Sequence, residues 1–204
     1  MKALIQRLLG FAVGSFGAAL LNLITIPVVT FFISPEEYGK TSMFMLAQTL
    51  LICIIYWGYD QALTREFYDY PRSDKLFATA ISIPLVAAGI IIVMLVGFAN
   101  PLAVFLFGSA SYYKIVWAIA ASIILMIFER FLFLFIRMEN KAFEFSFFNI
   151  LVKLSILVCT VLFLQVFPTN FVTVVYAMIF GQMLGDFLLT LRNLKLLCFS
   201  FKKN

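Results

Sequence analysis

Apolar residues fill this chain in long runs, and polar residues gather in short breaks between them. A helix rises about 1.5 Å per residue, so crossing the apolar part of a bilayer takes about 20 such residues. Six runs are long enough: residues 8–33, 41–63, 76–99, 115–136, 145–167 and 171–191. The breaks are short and contain no linker or low-complexity stretch, so neighbouring helices should be antiparallel. The pattern predicts an all-α integral membrane protein, residues 1–204 forming one lobe of six transmembrane helices. Lys2 and Arg7 followed by an apolar run imitate a signal peptide. That run continues to about Ile33 without a clear A-x-A site, so it reads as a retained first span.

The sharpest local signal is the turn Ser34-Pro35-Glu36-Glu37-Tyr38-Gly39. Ser34-Pro35 should stop the first helix, and the acidic pair suits the first turn of the second. Pro27, inside the first apolar run, removes a backbone donor and is expected to kink that helix.

Composition agrees with the pattern. Of 204 residues, 64% are hydrophobic and 12% charged, with mean hydropathy +1.06, which no soluble domain of this size needs. The absence of His excludes His-based triads, His–metal sites and His proton relays. Cys53, Cys159 and Cys198 are scattered without metal-ligand spacing and read as apolar filler, with no cofactor or metal implied.

A net charge of +5 invites a nucleic-acid partner, but the distribution assigns it to membrane orientation. Lys2, Arg7, Arg65, Arg72, Lys75, Arg137, Lys141, Arg192, Lys195, Lys202 and Lys203 fall on one side of the alternating spans. Lys40 and Lys114 fall on the other. The positive-inside rule then places both termini in the cytoplasm, with no nucleic-acid partner and lipids as the surroundings. Phe31, Tyr38, Tyr112, Tyr113 and Trp117 suit an aromatic belt at the outer interface.

Small residues mark close helix approach. Gly10, Gly14 and Gly17 share a face of the first span, as do Ala177, Gly181 and Gly185 on the sixth. This spacing serves packing within one bundle or a homodimer seam, and packing within the bundle is the expectation. Polar chemistry at membrane depth falls to Asn22, Asp60, Glu129, Arg130, Lys153 and Asp186. Glu129 and Lys153 are equidistant from Lys141, so a symmetric hairpin sets them at one depth as an intramembrane ion pair. Arg130 points about 100° away from Glu129, toward a cavity or the headgroups. Asp60 and Asp186 serve either the cavity or the cytoplasmic interface.

P-x-x-T-x-x-I-S-P-E-E-Y-G, from Pro27, followed by G-x-D-x-A-L-x-R-x-F-Y, from Gly58, resembles the first hairpin of the oligosaccharide flippases. These belong to the multidrug/oligosaccharidyl-lipid/polysaccharide exporter superfamily. The resemblance implies one six-helix lobe of a two-lobe exporter fold, with the substrate cavity between lobes. It implies movement of lipid-linked oligosaccharide across the cytoplasmic (inner) membrane for polysaccharide or lipopolysaccharide synthesis. It implies no catalysis. Asn22, Asp60, Arg65 and Arg130 become the substrate-binding candidates, Arg65 because it lies in the matching A-L-x-R-x-F-Y. Where many members carry an arginine near the end of the first helix, this chain has Phe31. One lobe alone is expected to be a truncated or split half, or to pair with a second lobe or a second copy.

Two other readings stay open. A membrane-embedded glycosyl or phosphoglycosyl transferase would need a metal or acid/base group, for which the loop bearing Glu66, Asp69 and Asp74 is the available place. That mixture of acids with Arg72 and Lys75 is more often a solvated loop. A non-transporting membrane scaffold is the third.

Overall fold

The computed structural model describes residues 2–69 and 74–201. They are almost entirely helical, with no strand among the described residues. The chain runs α1 (Lys2–Phe32), α2 (Pro35–Tyr56), α3 (Tyr59–Asp69), α4 (Asp74–Gly97), α5 (Ala99–Phe107), a 3-10 turn (Ala110–Tyr112), α6 (Tyr113–Met138), α7 (Ala142–Val166) and α8 (Phe171–Phe201). Arg72, Lys202 and Lys203, which enter the charge argument, lie outside the described residues, as do the side chains of Glu66, Asp69 and Asp74.

The turn after α1 forms as its residues dictate. Ser34 caps α2, its hydroxyl accepting the Glu37 amide at 3.4 Å, and Pro35 takes the first helical position. α1 runs through Pro27 as one helix, and the Thr30 hydroxyl bonds the carbonyls of Ile26 and Pro27.

Two spans differ from the pattern's prediction. The second was expected to run on to residue 63, but α2 ends at Tyr56. Trp57 and Gly58 both take left-handed backbone, with φ of 37° and 82°, and the chain restarts as α3. The third was expected to end at residue 99. Instead α4 turns through 82° after Gly97 into α5. Pro101 sits in the first turn of α5, where its missing amide breaks no helical bond.

Close packing centres on α7. Gly10, Gly14 and Gly17 of α1 meet Ala142, Ser146 and Ile150 in order, so the two helices run parallel. Ser146 Oγ donates to the Gly10 carbonyl, and Asn149 Nδ2 to that of Gly14 at 3.4 Å. On an adjacent face, about 100° around α7, Gly181 and Gly185 of α8 lie on the backbone of Ile156 and Val152, an antiparallel register. The small-residue faces thus serve packing within the bundle, gripping α7 on two neighbouring faces.

The second group packs on α6, whose buried Ile115, Ile119, Ile123 and Ile127 recur every four residues along one face. Phe44, Ile52, Ile55, Ala88, Leu95 and Phe107 from α2, α4 and α5 complete this core. α2 and α6 are also parallel, since Gln48 meets Ser122 and Tyr56 meets Ile127.

These directions bear on how often the chain crosses the membrane. Among the described residues five helices are long and apolar enough to span it, and the bent α4–α5 pair can make a sixth passage. If α2 and α6 each cross once and run the same way, one further passage must lie between them. The bent pair supplies it, which also makes α1 and α7 parallel as observed. Large apolar side chains such as Phe16, Leu23, Val93, Phe105 and Phe143 are exposed, as lipid-facing residues must be. This is a multi-pass membrane protein.

Candidate functional site

Where α1 and α2 diverge from their shared turn, a cavity of about 540 Å³ opens between α1, α2, α6, α7 and α8. Val29, Phe44, Ile52, Phe133, Ile156 and Ile179 give it apolar walls. Its polar groups come from every helix around it: Asn22, Gln48, Glu129, Arg130, Asn149, Lys153 and Gln182. The predicted Asn22, Glu129, Arg130 and Lys153 therefore share one space.

Arg130 and Asp60 form an ion pair, Nη2 to Oδ2 at 2.5 Å. The break at Trp57–Gly58 makes the pair possible. It starts α3 with Asp60 in its first turn, beside the last part of α6. The Arg130 guanidinium also stacks 4.7 Å from the Tyr56 ring centroid. Tyr56 in turn donates to the Ile127 carbonyl at 3.1 Å, one turn before Phe131, whose ring it also meets. The guanidinium is held from two sides, yet its side chain remains about half exposed, 48%, at the cavity edge.

The ion pair expected between Glu129 and Lys153 does not form: no ion pair joins these two among the described residues. Glu129 Oε2 instead accepts a hydrogen bond from Gln182 Nε2 at 2.8 Å. The reason is packing. α6 and α7 separate beyond their common turn, and Leu189 of α8 packs between Leu132, Ile136 and Phe148. Gln182, on α8, is then the polar side chain that Glu129 meets. Arg65 is exposed on α3 and is not part of the cavity lining. Phe31 is 84% exposed and also outside the lining, so the side chain that replaces an arginine in the resemblance leaves this cavity unaltered.

Gln48, Asn149 and Gln182 were not among the sequence candidates. Gln48 donates to Ser122 Oγ at 2.7 Å, and Ser122 donates to the Ile119 carbonyl, crossing the α2–α6 seam inside an apolar core. The signal available in the sequence was a lone amide within an apolar run, the same signal that selected Asn22. Near the other end of the cavity, Tyr38 of its lining lies next to Glu37. That carboxylate accepts the Phe171 amide and pairs with Lys40.

A bundle of membrane-spanning helices around a cavity with cationic, anionic and amide groups defines a polytopic membrane protein with a polar-lined cavity. The chain belongs to the family of polysaccharide biosynthesis proteins, which matches it over residues 7–202. No curated protein and no solved structure matches it. Its role is therefore in polysaccharide biosynthesis at a membrane.

Proposed function

We propose that the protein is a flippase, not an enzyme, and moves lipid-linked oligosaccharide from the cytoplasmic to the outer leaflet of the cytoplasmic membrane. The observation that supports this most is the cavity's division of labour. Arg130 and Lys153 offer cations at membrane depth, while Val29, Ile52, Ile156 and Ile179 offer apolar surface beside them. A polyprenyl pyrophosphate sugar has the matching parts: a phosphate group for the cations and a long apolar chain for the walls. Amides at Asn22, Gln48 and Asn149 suit sugar hydroxyls.

Orientation follows the lysines and arginines, with both termini cytoplasmic. Asn22 is exposed and Arg130 half exposed on the cavity side, which is costly if lipid covers them. A second six-helix lobe, or a second copy of this chain, is proposed to close that side. Arg65, a turn and a half beyond Asp60, is a further phosphate contact at the cytoplasmic mouth.

Binding of a short-chain polyprenyl pyrophosphate sugar to the purified protein in detergent tests the reading. Arg130→Ala should weaken binding by about tenfold or more, the size of a lost charged hydrogen bond. Arg65→Lys should also weaken it if the guanidinium fork is used, because a point charge cannot make two parallel bonds. Unchanged binding in both variants would remove the phosphate role.

A further inference from the structure

Asp186 stands behind the cavity wall, and the flippase reading makes no use of it. It is 6% exposed, and neither carboxylate oxygen has a hydrogen-bond partner among the described residues. A carboxylate in that setting is an ion stripped of solvation. The packing of α8 on α7 explains its neighbours. Gly185 presses on the backbone of Val152, and at about 100° per residue the next residue of each helix, Asp186 and Lys153, turns to the same side of this antiparallel seam without closing an ion pair. Gln182 lies one turn before Asp186 on the same face and holds Glu129 of α6. Glu129 and Lys153 are the charged groups that act on Asp186. Both line the cavity, with Asp186 as the third member of the cluster behind them.

Charge counting shows what is missing. Two carboxylates face one ammonium, leaving one excess negative charge at membrane depth, where charge is costly. Arg130 and Asp60 cancel each other and offer no relief. A single proton removes the excess. Gln182 donates a hydrogen bond to Glu129, whereas Asp186 has no donor, so the proton belongs on Asp186.

We propose that Asp186 is a proton-binding site behind the cavity wall, and that one proton there makes the Glu129–Lys153–Asp186 cluster neutral. The occupied site presents an uncharged cluster to the cavity; the empty site presents a negative one that repels an anion. Binding of an anionic headgroup is therefore linked to uptake of one proton. That link rests on the flippase reading, while the proton site does not.

Infrared spectroscopy of the full chain in lipid nanodiscs tests the site through the carbonyl stretch of a protonated carboxyl. At neutral pH the wild type should show this band and Asp186→Asn should lose it. Lys153→Met leaves two carboxyls with no cation and should strengthen the band. Glu129→Gln leaves Asp186 matched to Lys153 and should weaken it. A band unaffected by Asp186→Asn, or no band at neutral pH, overturns the proposal. So does loss of the band when sodium replaces potassium at constant pH, which would mark a metal-cation site. Inorganic pyrophosphate probes the link: binding that strengthens the band supports it, and binding that leaves the band unchanged overturns it. Failure of pyrophosphate to bind at any pH would count against the anionic-headgroup reading, with the band alone still deciding the proton site.

Discussion

Glu37 Oε2 accepts the backbone amide of Phe171 at 2.7 Å, so the first turn of α2 caps the start of α8, 134 residues further along the chain. The other carboxylate oxygen takes Lys40 at 3.1 Å, and the Lys40 ammonium lies 5.8 Å from the centre of the Phe171 ring. One side chain thus ties the two halves of the bundle together at the end where Ser34-Pro35 forms its turn. Glu37→Ala leaves a helix-end amide without its cap and should lower stability by about 1–2 kcal/mol. Glu37→Gln keeps an acceptor and should cost less. Thermal unfolding of the purified protein in detergent measures both; equal losses would mean that charge, not the cap, matters.

The α7 clasp makes a sharper stability test. A Cβ at Gly181 would lie 2.6 Å from the Ile156 Cα, and one at Gly14 would overlap the backbone of Ser146. Backbone cannot step aside as a flexible side chain can, so Gly14→Val or Gly181→Val should destabilise by about 1–3 kcal/mol or more. At Gly39, inside α2, an added methyl would meet nothing within 4 Å, and Gly39→Ala should be neutral or stabilising by up to about 1 kcal/mol. Size-exclusion profiles of heated samples separate these outcomes.

Much of this architecture was legible in the chain because membrane helices announce themselves by length and composition. The Ser34–Gly39 turn was legible for the same reason that it forms: Ser, Pro and two acids each suit one position at a helix start. The breaks after Tyr56 and Gly97 were hidden inside continuous apolar runs, where hydropathy does not register a change of direction. Their marks were Gly58 and Pro101. The site was half legible. Asn22, Glu129, Arg130 and Lys153 stand out as polar groups in apolar runs, and the cavity gathers all four. Their partners could not be read, because hairpin symmetry ignores what α8 does. Packing of α8 against both α6 and α7 gives Glu129 to Gln182, and the break at Gly58 gives Arg130 to Asp60.

The Arg130–Asp60 pair should behave as a coupled unit. Asp60→Asn and Arg130→Met together should cost less than the sum of the single changes, with a coupling of about 1 kcal/mol for a partly exposed pair. A double-mutant cycle on unfolding in detergent reads this directly. Strict additivity would mean that the two charges act independently.

The parallel pairs α1–α7 and α2–α6 require the bent α4–α5 pair to count as one crossing. Single cysteines at positions 109 and 168 should then label from outside the cell, and one at position 140 should not, in a background without Cys53, Cys159 and Cys198. Labelling at 140 with none at 109 and 168 would invert the orientation. Labelling at 109 and 140 alike would mean that α6 does not cross.

Leaflet movement of a fluorescent lipid-linked oligosaccharide in proteoliposomes tests the flippase account most directly. Vesicles holding the chain together with a second six-helix lobe should move the lipid, and Arg130→Ala should slow that movement by about tenfold or more, the effect of losing one charged hydrogen bond. Divalent-dependent sugar transfer by the same preparation without any leaflet movement would contradict the account.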